Sequence, residues 1–482
     1  MRISEMYHLG VTQGGLDFVD IDPTTDTPAY IDPKAISLQR GQWSTSCQAM
    51  LQSFFDYLLK TIRDGTSSEI RDLVKSLSEP NETHLGQSKF ESKGRGLGGG
   101  RRSIEVIEAL RQSKAGTSGL LRDLEDTVLF IPGIGRDIVS DMTTNIIRGQ
   151  LILYTQNMCD HYQIPMETQH SGLIWDHIAK KWKEADVLLP RSDDKKLLLV
   201  PKSIVRFKSI TSKDAYYRDY LRPVYEDLEL HKSASDLVET LKGGRKRVLK
   251  GKLDQLLGTS KPEIAANSIP HPSALDAYKL SITPQSAPPP SEAEFTAATG
   301  SPQVDVQELL NAVGAIAPGR SGATSYHRAI VDLLNALFDT SLGNERIEKE
   351  IHGGRKRIDI TYDNIETHGF FSWIAQHYSA ATIVVECKNY SGEIANNEFD
   401  QLTGRFSPDR GQVGILVCRS IKNRKLAEDR CRDSAKDKRG YCLILTDDDL
   451  AEVVKLHTAD KISLREYKQH PLLRKQFDYL ID

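Results

Sequence analysis

Asp359 lies in the run RKRIDITY, and Glu386 and Lys388 lie in TIVVECKN; apolar residues alternate in both. Successive side chains of an extended strand point to opposite faces. Ile358, Ile360 and Tyr362 therefore point one way, and Arg357, Asp359 and Thr361 the other. In the second run Val384, Glu386 and Lys388 share a face opposite Ile383, Val385 and Cys387. If the two strands pair, Asp359, Glu386 and Lys388 meet on one side of a sheet. Two carboxylates and an ammonium gathered there are costly unless compensated. A hard divalent cation compensates them, because oxygen ligands suit magnesium or manganese. The first run completes the sequence GGRKR, residues 353–357, which also occurs at 243–247; only the later copy leads into an acid.

The elements around these runs have a clear rhythm. SYHRAIVDLLNALFD reads as an amphipathic helix, with Tyr326, Ile330, Leu333, Leu334, Leu337 and Phe338 inward. Its polar residues Arg328, Asp332, Asn335 and Asp339 are expected outward. Strands are expected in RIEKEIH, RKRIDITYD and ATIVVECKNY, followed by a helix in NNEFDQLTGRF and a strand in VGILVCRS. A charged helix from Lys425, a strand in YCLILT and a helix opening at Asp447-Asp448-Asp449 complete the region. Three strands followed by alternating helix and strand imply an α/β domain, a mixed sheet flanked by helices.

In this order, the segment resembles the PD-(D/E)XK nuclease superfamily, the restriction-endonuclease-like fold, over roughly residues 323–450. Asp359 matches the lone acid and Glu386-Cys387-Lys388 the E-X-K element. The Mrr-like branch carries a glutamine on the helix after the motif strand, and Gln401 is the matching residue. The resemblance implies metal-assisted hydrolysis of DNA phosphodiesters. Asp359, Glu386 and the backbone carbonyl of Cys387 would hold Mg2+, with Mn2+ as the alternative ion. Lys388 would position the attacking water, Gln401 would belong to the catalytic set, and Arg355, Lys356 and Arg357 would contact phosphates. It further implies prokaryotic restriction or anti-phage defence. An RNase or a structure-specific repair nuclease on the same fold is the rival, as is a binding module that does not cleave. Two departures stand out. The first helix carries Tyr326-His327 where relatives often place a glutamate, and 27 positions separate Asp359 from Glu386. The intervening Phe370, Phe371, Trp373 and Ile374 are expected in a short inserted helix packed on the core.

Residues 1–260 are expected to form a larger, mixed and mostly helical region for recognition or regulation, binding a trigger the sequence does not reveal. Long helices are expected in STSCQAMLQSFFDYLLKTIRDG and in DIVSDMTTNIIRGQLILYTQNMCDHY, the latter with Val139, Met142, Ile146, Leu153 and Tyr154 on one stripe. Strands are expected in ADVLLP and KKLLLVPKSIV. SITPQSAPPPSEAEFTAATGSP has almost no large apolar residues, so 261–302 reads as a flexible linker. The chemistry-bearing domain would then be 303–482, foldable by itself at that length. Cutting both strands of a duplex favours a homodimer or larger assembly.

Composition narrows the class. A net charge of -3 over 482 residues excludes a uniformly basic coat but not a local basic groove. No apolar run approaches the roughly eighteen residues of a membrane span, so no membrane partner is expected. The chain's start lacks the apolar core of a signal peptide, and six scattered cysteines without a CxxC pair fit a reducing cytoplasm. Other motifs are weaker. Gly94, Gly96 and Gly99 form a G-x-G-x-x-G without a preceding strand or a Walker lysine. Asp17, Asp20, Asp22, Asp26 and Asp32 do not fit a calcium loop and are read as turn residues. The first GGRKR is read as a basic segment following a helix in ASDLVETL.

Overall fold

The structure, a computed structural model, describes residues 1–86, 101–192, 195–283, 287–351, 355–392, 394–459 and 463–482. Gly94, Gly96 and Gly99 lie outside the described residues; the helix that follows them spans Arg101–Gln112.

Helix α1 (Gln42–Asp64) forms where expected, burying Cys47, Leu51, Phe54 and Leu58 at helical spacing. The second long helix is two: α2 (Arg136–Ile146) and α3 (Arg148–Tyr162). Ile147, at φ -89° and ψ 7°, leaves the helical region between them. That break turns the apolar stripe, so Leu151 and Ile152 are buried while Leu153 is 60% exposed. Of the expected strands, Asp186–Leu189 pairs with Glu167–His170. Within KKLLLVPKSIV, Lys195–Lys196 pairs with Arg191–Ser192 and Val205 with Ile31, while Leu197–Val200 between them is buried but joins no ladder. Its amides are satisfied singly instead: Leu197 donates to Pro190 O, Leu198 to Glu82 O, and Leu199 to Thr155 Oγ1.

The first GGRKR is half of a β-hairpin rather than the tail of a helix. Val238–Thr240 pairs antiparallel with Lys246–Val248, and Gly243 and Gly244 take φ +99° and +81° in the turn. Those dihedrals suit glycine, and β-branched Val238 and Thr240 suit a strand.

Residues 261–302 carry helices at Lys261–Ser268, Pro272–Ser281 and Glu292–Thr299. Ile264, Leu275 and Phe295 are fully buried. A few well-spaced anchors, capped by Ser260–Glu263 and Ser291–Glu294 boxes, hold a segment that its average composition marks as unstructured.

The C-terminal part begins with helix α4 (Ala323–Leu337). Then come strands β1 (Leu342–Ile351) and β2 (Lys356–Asn364), helix α5 (Phe370–His377), strand β3 (Thr382–Gly392) and helix α6 (Asn396–Thr403). Strand β4 (Val413–Ile421), helix α7 (Arg424–Lys436), strand β5 (Tyr441–Thr446), helix α8 (Asp447–His457) and helix α9 (Pro471–Ile481) complete it. The strands lie in sequence order; β1-β2-β3 are antiparallel and β3-β4-β5 parallel. Helices α6 and α7 make the crossovers that parallel neighbours require. The molecule is thus mixed α/β with a five-stranded mixed sheet. The inserted helix α5 buries Phe370, Phe371 and Ile374.

The outer face of α4 differs from expectation. Asp332 and Asn335 are buried, because the N-terminal region packs there. Tyr162 OH donates to Asp332 at 3.0 Å, Asn335 donates to Gly15 O at 3.1 Å, and Arg328 donates to His161 O at 2.5 Å. Asp339 receives Lys202 and the Glu292 amide. A polar helix face can mean solvent or a hydrogen-bonded interface, and here it is the second. One hydrophobic cluster accordingly runs from Ile3 to Leu480.

Candidate active site

The residues singled out on β2 and β3 come together where those strands part. The β2–β3 ladder runs from Asp363↔Thr382 to Ile360↔Val385. One step further the amide of Cys387 donates at 2.9 Å to the Asp359 carboxylate rather than to a ladder carbonyl. Strand β3 continues pairing with β4, through Glu386↔Leu416 and Lys388↔Cys418. The divergence opens the sheet beside Asp359 while holding Glu386 and Lys388 firmly.

Glu386 is fully buried, and its Oε1 accepts from Lys388 Nζ at 2.8 Å and from Gln401 Nε2. Lys388 also donates to Gln401 Oε1 at 3.1 Å, so α6 closes a three-residue network over β3. Oε2 of Glu386 is buried with no partner. Burial, and then the charge of Asp359, raise the Glu386 carboxyl above its usual range; Lys388 and Arg405 oppose that. Burial pushes the Cys387 thiol well up, aided by Asp359 and Glu386. The orphaned oxygen and the adjoining acid fit a cation held by Asp359 and Glu386. No group of three or more His, Cys, Asp or Glu side chains that could hold a metal occurs among the described residues. Two carboxylates suffice for magnesium, which keeps several waters and takes substrate oxygens.

Arg355 and Arg357 follow the second GGRKR's glycines, which lie outside the described residues. Arg355 is exposed, and Arg357 pairs with Glu348 at 2.8 Å and Glu350 at 3.6 Å. Of Lys356 the structure gives only its place at the start of β2.

Of three further groups near the site, Arg405 and Lys349 were not singled out from the sequence, and His327 was named only as a departure from the resembled pattern. Arg405, just past α6, acts on Glu386 and has a buried Nε without a partner. Its spacing of four from Gln401 was the available signal. His327 meets the backbone of Asp359, and burial holds its imidazole below the usual histidine range although Asp359 and Glu348 pull the other way. Lys349 reaches Gln42 of α1. Asp17 and Asp20, read as turn residues, are buried acceptors: Asp20 takes Ser4 N and Oγ. A cavity of about 610 Å³ between α7, β5 and α9 shares no lining residue with this site.

Residues 8–212 match a family described as Domain of unknown function (DUF8370). No curated protein and no solved structure matches the chain. No helix among the described residues is long and apolar enough to cross a membrane.

Proposed function

We propose that this chain is a metal-dependent nuclease of the restriction-endonuclease-like fold, hydrolysing phosphodiester bonds of DNA in a restriction or defence role. The observation that carries the reading is the convergence of Asp359, Glu386, Lys388 and Gln401 where β2 and β3 diverge. Asp359, Glu386 and the Cys387 carbonyl would hold Mg2+ or Mn2+, which polarises a phosphate and lowers the pKa of bound water. Lys388 supplies an ammonium at the place where negative charge accumulates on the phosphate, and its bond to Gln401 fixes where that ammonium points. Glu386 holds Lys388 from the other side. Each such site cuts one strand, so prompt duplex cleavage calls for two copies working together.

The test is incubation of the full chain with Mg2+ and, in separate reactions, duplex DNA, single strands and RNA. Cleavage should require the metal and disappear with EDTA. Asp359→Ala, Glu386→Ala and Lys388→Ala should each abolish it, and a double variant should be scarcely worse than the singles, because the residues act as a unit. Metal-dependent cleavage that survives in Glu386→Ala would refute the assignment. Cleavage confined to RNA would move the reading to a ribonuclease.

A further inference from the structure

Cations collect on one side of the candidate site without matching acids. Arg346 of β1 is paired in register with Thr361, and Thr361 with Val384, which shares a face with Glu386 and Lys388. Arg346 therefore sits on the site's face of the sheet, engaged by Asp363 at 2.9 Å. Lys349 is paired in register with Ile358, yet its ammonium reaches Gln42 at the start of α1, next to Gly41, which lies against the Asp363 carboxylate that Arg346 engages. The turn after α6 carries Arg405 and Arg410, joined by Arg410 Nε donating to Arg405 O at 3.2 Å, with Arg405 near enough to act on Glu386.

Nearby Arg439 is paired with Asp400. Lys349, Arg405 and Arg410, by contrast, make no ion pair among the described residues. The acids facing them are already committed: Asp363 to Arg346 and Asn344, Glu386 to Lys388 and Gln401. Asp359 and Glu386 would in addition be neutralised by any bound cation. Burial and then Arg346 push the Lys349 ammonium down to about 8, with Arg410 adding to the repulsion and Asp363 opposing it. Mutual repulsion among neighbouring cations is relieved by an anion with several charges at regular spacing.

We infer that Lys349, Arg410 and Arg405 form a phosphate path along which the backbone of a nucleic-acid strand approaches Asp359 and Glu386. The path rests on the nuclease reading, and it involves the N-terminal region, because α1 carries the residue that Lys349 touches. It also differs from the GGRKR signal. Arg357 is held by Glu348 and Glu350 and has less charge to offer.

Binding separates this inference from catalysis. Fluorescence anisotropy of a labelled duplex and a labelled single strand, in EDTA, reads affinity without cleavage. Each phosphate contact adds about 0.9 to the slope of log K against log salt for duplex DNA. Lys349→Gln and Arg410→Gln should each lower that slope by about 1, and the triple variant with Arg405→Gln by about 2 to 3. Lys349→Arg and Arg410→Lys should keep it. Thermal unfolding of every variant shows whether the fold is retained; should the triple variant fail to fold, the two single variants decide. Unchanged slopes in folded variants, with wild type binding well, overturn the path and leave the nuclease reading standing. A wild type that binds neither probe overturns both.

Discussion

Asp17 offers the sharpest test of whether the site-bearing sheet is independent of the N-terminal region. Strand β1 has a register shift between Gly343 and Arg346, with Asn344 at φ +53°. The shift leaves the amides of Asn344 and Glu345 without partners on β2. Asp17 takes both, at 3.0 and 3.1 Å, and also accepts from Tyr154 OH at 2.7 Å. All these groups are buried. Asp17→Ala orphans three donors, each costing about 1 to 3 kcal/mol. Part of that is offset, because burial raises the Asp17 carboxyl and shows that its charge is itself expensive. The net loss should be about 4 kcal/mol, a large share of a typical stability of roughly 5 to 15 kcal/mol. For a chain of 482 residues it corresponds to a fall in Tm on the order of 4 °C. Urea unfolding followed by circular dichroism and tryptophan fluorescence reads it. Trp43, Trp175 and Trp182 report on the N-terminal region and Trp373 on the sheet domain. Both signals should shift together in one transition, and a 303–482 fragment, stripped of Asp17, Tyr162 and Gly15, should be molten. A change below about 0.5 kcal/mol, or a separate unshifted transition for Trp373, would refute the reasoning.

Further outcomes follow from the same contacts. Burial pushes the Asp332 carboxyl up to about 7, so the folded state takes up a proton that the unfolded state releases near its ordinary value. Its contribution is most favourable below about pH 4 and declines as pH rises to about 7, by up to roughly 1.4 kcal/mol per unit. Asp332→Asn should flatten the pH dependence of urea midpoints between 5 and 7 by about one proton; an unchanged slope would count against it. Mg2+ at ten times its Kd should stabilise the wild type by about 1.4 kcal/mol. Glu386→Gln should abolish that gain in a thermal-shift assay, and a retained gain would place the cation elsewhere. Neutralising Arg245, Lys246 and Arg247 of the first GGRKR, where Arg247 already pairs with Glu239, should leave cleavage rates within about two-fold.

What the sequence revealed follows the kind of interaction involved. Period-two alternation brought Asp359, Glu386 and Lys388 to one face, because sheet register is local and arithmetic. Gln401 came with them only through resemblance. Long apolar runs were ambiguous for a physical reason: LLLV at 197–200 is buried like a strand, yet its amides go to three separate acceptors. The N-terminal interface was hidden for another. Asp332, Asn335, Arg328 and Asp339 have the composition of a solvated face, and only their partners, 40 or more residues distant in sequence, distinguish burial from solvent.

The same limit explains how Asp359 is placed. In β1, Ile347↔Ile360 and Lys349↔Ile358 are paired, while Glu348 between them adopts φ +49° and no Glu348↔Asp359 pair forms. A non-glycine residue there carries strain of order 1 to 3 kcal/mol, and such strain persists only where surrounding contacts over-determine it. Asn157 of α3 supplies them next door: its side chain donates to Ile347 O at 2.9 Å and accepts from Ile347 N at 3.0 Å. With the ladder interrupted, His327 meets the backbone of Asp359. His327, on α4, therefore acts on the main chain of the site's own acid. Its neighbour Arg328 is tied to α3 through His161 O. The N-terminal region thus reaches the candidate site through two adjoining contacts, one on β1 and one on α4, and a shift of α3 would move both walls of Asp359 at once.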